Sequence, residues 1–165
     1  MSDFITVMQF DDEDKVACKQ FFRGQNSEVE SKGYGMPMLF HFEEIPVSSL
    51  MDLSNILCEL EHENRKFIIH GKAKSNGVGP IRRKNTEFDA IPHQWICLDI
   101  DKWEIPDSID PTDPDDPEFP LRWALSKLPV SFRNTTCHFQ FSSSYLLTSL
   151  DYLKVHLWFW LDRPV

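Results

Sequence analysis

The sequence has no run of 18 apolar residues and no basic segment leading into a short apolar one. It lacks the pattern of a membrane-spanning helix or a secretory leader, so a cytoplasmic setting with no membrane partner is expected. Its four cysteines, at 18, 58, 97 and 137, form no CxxC pair and no Cys–His set at zinc spacing. Free, mostly buried thiols are expected. Positive charge is scarce: 17 lysines and arginines face 26 aspartates and glutamates, giving a net charge of −9. That balance argues against a strongly basic nucleic-acid footprint and moves attention to local fields.

Several catalytic signatures are missing too. No GxGxxG opens a helix after a strand, which argues against a dinucleotide oxidoreductase. No Ser-His-Asp or Cys-His arrangement carries a local signature of nucleophilic catalysis. The histidines, at 41, 62, 70, 93, 138 and 156, stand singly, whereas a HUH-type nuclease needs two around one apolar residue. No internal repeat is visible.

What is present is a globular composition. Hydrophobic residues make up 41% and aromatics 13% of 165 residues, with 13 Phe and 5 Trp, enough for one domain with a real core. "FITVMQF" (4–10) reads as a strand, "DDEDKVACKQFFRG" (11–24) as a short acidic-capped helix, and "NSEVESKGYG" (26–35) as a loop. "MPMLFHFEEI" (36–45) is a further strand. The strongest helix is 48–64, where Leu50, Leu53, Ile56, Leu57 and Leu60 form an apolar stripe behind a Ser48 or Ser49 cap. "KFIIHG" (66–71) is a strand closed by glycine.

The stretch "KAKSNGVGPIRRKN" (72–85) holds Lys72, Lys74, Arg82, Arg83 and Lys84 and no acid. Such a loop suits phosphate, because Arg and Lys pair with its oxygens and glycine lets backbone N–H groups approach. It lacks the GxxxxGK[ST] spacing of a P-loop. Beyond it come a strand (94–101), an exposed loop rich in acid and proline (104–118), a short helix (120–129) and a strand running into serines (136–144). An ambiguous turn or helical segment (145–153) and a strand (154–162) complete the chain. The order predicts an α+β or α/β domain on a mixed or largely antiparallel sheet. The end at "RPV", just after a strong strand, is that expected of a fragment with a further helix and strand to follow.

Within "HQWICLDIDKW" (93–103), alternation points Asp99 and Asp101 one way and Leu98 and Ile100 the other. Two carboxylates about 7 Å apart on one strand face suit a hard divalent cation, Mg²⁺ or Mn²⁺. In "KVHLWFWLD", His156, Trp158 and Trp160 share one face, and Ser142, Ser143 and Ser144 precede that strand.

In order, "CLDID", a short helix ending "LP", "FQFSSS" and "VHLWFWLDRPV" resemble the archaeo-eukaryotic primase superfamily, above all the primase-polymerase domains of plasmids, phages and integrated elements. The resemblance spans about residues 66–165. It implies a primase-type palm with an RRM-like sheet, with residues 1–65 as an N-terminal α/β unit of one incomplete catalytic domain over 1–165. It implies a template-dependent nucleotidyltransferase acting on a single-stranded DNA template or primer-template, with NTPs or dNTPs and a helicase as companions. Asp99 and Asp101 match the metal-binding acids, and His156 matches the histidine that contacts the incoming phosphates. Ser142, Ser143 and Ser144 match the serine cluster, and Arg82 and Arg83 match basic residues upstream of the first motif. Lys154 stands where the family's second motif has a small serine and is expected to face a phosphate instead. The third acid is expected beyond Val165. Two other classes compete: a metal-dependent replication-initiator nuclease, and a catalytically inactive nucleotide- or nucleic-acid-binding relative.

Overall fold

Four consecutive residues of the first strand, Ile5, Thr6, Val7 and Met8, are buried, so both of its faces are covered and it takes a central place. The computed structural model describes residues 3–11, 14, 16–25, 28–33, 39–75 and 80–165. They fall into two compact units, Met1–Phe22 with Glu30–Gln94 and Leu161–Val165, and Arg23–Val29 with Trp95–Trp160.

The first unit is built on β1 (Asp3–Phe10), flanked by β4 (Phe40–Val47) and β5 (Lys66–Ile69), both antiparallel to it. Before β4 come the short β2 (Gln20–Arg23) and β3 (Val29–Lys32), which pair with each other. Met8, Phe10, Phe40, Ala73 and Ile81 make a core cluster, with the Phe10 and Phe40 rings 5.3 Å apart. The one polar residue in the buried run, Thr6, donates its hydroxyl to Gly71 O at 2.6 Å, which removes the cost of burying it. Helix α1 (Leu50–Leu60) buries Leu53 and Leu57. Ser49 caps it by accepting from the Asp52 N–H at 3.1 Å, and Asp52 accepts in return from the Ser48 N–H at 3.0 Å. After β5, β6 (Lys72–Ala73) pairs antiparallel with β7 (Phe88–Asp89). His93 is buried and holds Asp3, with Nδ1 and Oδ1 2.7 Å apart, and exchanges two backbone hydrogen bonds of 3.1 Å with Val165.

The second unit is a sheet of order β8–β10–β9, formed by Trp95–Glu104, Tyr152–Trp160 and Cys137–Phe141, antiparallel throughout. Helix α2 (Phe119–Lys127) begins with Pro120 in its first turn, where the missing N–H costs nothing, and the short α3 (Val130–Arg133) follows. Leu153, Val155, Leu157 and Phe159 of β10 have no exposed surface and pack with Ile100, Leu121, Ala124 and Leu128.

The α+β class agrees with the sequence expectation, and the two larger sheets are antiparallel. Two local expectations are corrected. Residues 11–24 do not carry a helix among the described residues; Gln20–Arg23 is a strand. Phe21 and Phe22 favour extended backbone, and Val29–Lys32, expected as loop, supplies the partner. Lys66–Ile69 pairs with β1 inside the first unit. No helix among the described residues is long and apolar enough to cross a membrane.

Candidate active site

The strands of the second unit's sheet alternate, so one face is core and the other carries the buried Trp95 and Trp158 beside the polar Asp99, His156 and Lys154. On β10 the odd positions Leu153 to Phe159 point into the core, which turns Lys154 and His156 to the opposite face. The register sets His156 directly between Asp99 on β8 and Gln140 on β9. Residues opposite one another in an antiparallel pair share a face, so the three side chains form one row across the sheet. His156 Nε2 lies 3.3 Å from Asp99 Oδ1, with the two side chains 39% and 71% exposed. An ion pair so open to water contributes about 0–1 kcal/mol. Stability does not account for it.

Asp101 sits one step along. Pairing runs from Val155↔Ile100 to Leu153↔Trp103, so two residues of β8, Asp101 and Lys102, oppose the single Lys154 of β10. This is a β-bulge, a device that re-aims side chains at a strand end. Ile100 and Trp103 both pack on the core, which leaves the exposed Asp101 and Lys102 on the side of Lys154. The Asp101 carboxylate makes no hydrogen bond or ion pair among the described residues.

The serines close the same end of the sheet. Ser142 N donates to Lys154 O at 3.0 Å, extending the β9–β10 ladder by one rung. The Lys154 ammonium donates to Ser144 Oγ at 3.3 Å and to Thr148 Oγ1 at 2.8 Å, and Ser142 Oγ is 3.3 Å from Ser144 Oγ. A flexible lysine is thus held by two hydroxyls with no carboxylate to neutralise it. Ser143 is exposed and makes no hydrogen bond among the described residues.

The neighbouring thiols are held protonated by burial. Burial, and after it the charge of Asp99, pushes Cys97 up to about 12. Burial also raises Cys137. A raised pKa lowers the thiolate fraction and with it the reactivity of both thiols.

Among the described residues, no three His, Cys, Asp or Glu side chains converge to cage a metal. The donors on offer are the hard oxygens of Asp99 and Asp101. These fit Mg²⁺, which is commonly held by one or two carboxylates with the rest of its shell from water and substrate phosphates.

The structure therefore brings Asp99, Asp101, His156, Lys154, Ser142 and Ser144 together on one sheet. Arg82 and Arg83 belong to the first unit, where Arg83 lies over the Phe67 ring at 5.0 Å. Sequence reasoning missed Thr148 and Gln140. Gln140 was within reach, since in "CHFQF" the inward Phe139 and Phe141 leave it on the outer face. Thr148 had no signal in its turn. No family model, no curated protein and no solved structure matches the chain.

Proposed function

We propose that the second unit carries the catalytic face of a nucleotidyltransferase of the primase-polymerase kind. It would join NTPs or dNTPs on a single-stranded DNA template during replication of a mobile element, with a helicase as its companion. In this reading β8–β10–β9 is the palm sheet. The observation that carries it is the pairing of Asp99 with His156 across two strands, with Lys154 and Asp101 one step along.

Nucleotidyl transfer asks a protein mainly for placement and charge compensation. Asp99 and Asp101 would hold Mg²⁺ or Mn²⁺, which supplies positive charge at the reacting phosphates. Lys154, fixed by Ser144 and Thr148, presents a point charge to a non-reacting phosphate. Ser142, Ser143 and Ser144 offer hydroxyl donors to the same group. His156 has Nε2 beside Asp99.

The test is extension of an end-labelled primer on a single-stranded template with Mn²⁺, comparing the wild type with Asp99→Asn and Asp101→Asn. Extension by the wild type and its loss in both variants supports the assignment. Shortening of the labelled strand points to the nuclease class. Nucleotide binding without extension points to an inactive relative.

A further inference from the structure

The basic stretch of the first unit lines a cavity of its own. Its volume is about 280 Å³, and its walls are Ile68, Ile69, His70, Arg83, Lys84 and Phe88. All six belong to the first unit. We propose that this cavity binds a phosphomonoester of nucleoside-monophosphate size.

Charge comes first. Arg83 and Lys84 have no carboxylate partner among the described residues, in a chain of net charge −9. Of the two acids flanking Phe88, Asp89 is 3.5 Å from Lys74, and Glu87 makes no ion pair with Arg83 or Lys84 among the described residues. Two uncompensated cations on one cavity match the roughly twofold negative charge of a phosphomonoester. A single carboxylate would leave one of them unpaired. Arg83 is held in place by the Phe67 ring, so less freedom is lost when it grips an anion.

The surface facing the cavity is more polar than apolar, with Ile68, Ile69 and Phe88 lining the rest. The volume is at the lower end for small-molecule sites, which suits a mononucleotide and not a polymer. His70 adds a hydrogen-bonding ring. Its pKa is lowered by burial and then by the neighbouring His93, whose ring lies 5.0 Å away, so His70 is a neutral partner to the two cations at pH 7.

This inference does not depend on the carboxylate face of the second unit. Titration calorimetry with AMP, in EDTA to remove metal, tests it on the full chain. Saturable binding is expected, weakened about tenfold or more in Arg83→Gln and in Lys84→Gln. Both altered residues are exposed, and Lys84→Gln removes no side-chain hydrogen bond or ion pair among the described residues, so it serves even if Arg83→Gln melts early. Undiminished binding in Lys84→Gln and Arg83→Gln would overturn the proposal. Adenosine binding as tightly as AMP overturns the anion assignment. Inorganic phosphate binding as tightly as AMP overturns the mononucleotide assignment.

Discussion

Asp99 and His156 occupy the same register position on adjacent antiparallel strands, with Asp99 Oδ1 and His156 Nε2 3.3 Å apart and both side chains open to solvent. Such a pair adds little to folding, about 0–1 kcal/mol. It is nevertheless held by a rigid backbone, because the opposite face of both strands is core. A site on strands is placed more accurately than one on loops.

The first prediction separates these roles. Asp99→Asn keeps the shape and removes the charge. The rate of nucleotide addition should fall by on the order of 10²–10³, as when one preorganised electrostatic group is lost. The melting temperature should move by no more than a few degrees. Single-turnover extension and a thermal melt measure the two. A large loss of stability with a small change in rate would make Asp99 a structural residue.

Lys154 should act in binding more than in chemistry. Lys154→Met is expected to raise the nucleotide KM about tenfold with a smaller change in kcat, the signature of lost uniform binding. Thr148→Val leaves the charge but frees the ammonium from its nearest acceptor, 2.8 Å away, so its effect should be in the same direction and smaller. Steady-state kinetics on the two variants decide this. Equal effects would mean that Thr148 serves the site in some other way.

The legible parts of the molecule are those with a strong local period. The apolar stripe of α1 and the Ser49 cap follow from spacing, as does the division of β8 and β10 into inward and outward residues. The short β2 and β3 were hidden because four mostly exposed residues carry no period, and each gains its conformation from the other. The bulge was hidden for another reason. Alternation extends past Ile100 on paper, but whether Asp101 or Lys102 is the extra residue depends on where Leu153 must bury itself on the neighbouring strand. The contact of Lys154 with Ser144 and Thr148 likewise exists only once the turn between β9 and β10 has closed.

Thiol chemistry gives a third prediction. Cys97, pushed up to about 12, should resist iodoacetamide at pH 7.5, while the exposed Cys18 and Cys58 are alkylated. Peptide mapping by mass spectrometry after brief labelling reads this directly. The sign of the linked stability follows. The folded state holds a proton that the unfolded chain releases, so the contribution is complete below about pH 9 and is lost as pH rises toward 12. Urea unfolding should therefore show a declining midpoint above pH 9. Asp99→Asn removes the second cause of the shift and should speed Cys97 alkylation only slightly, because burial is the larger one.

The last prediction concerns Gly71, which joins β5 to β6. Its φ of +134° lies where side chains are rarely accommodated, and an added Cβ would stand 2.9 Å from Asp89 O. That oxygen belongs to backbone in the β6–β7 pair, so it cannot swing away as a side-chain tip would. Gly71 O also receives the hydroxyl of the buried Thr6, which fixes the chain on its other side. Gly71→Ala should therefore destabilise by about 2–3 kcal/mol, the scale of one strained backbone position with its clash. It should also weaken AMP binding, because His70 and Phe88 flank the displaced segment and line the cavity. Gly33→Ala is the control: an added Cβ there meets nothing within 4 Å among the described residues, and its effect should stay within about 0.5 kcal/mol. Urea midpoints of the two variants make the comparison. If they coincide, the β5–β6 turn relaxes around a side chain, and neither the positive φ nor the approach to Asp89 constrains this end of the sheet.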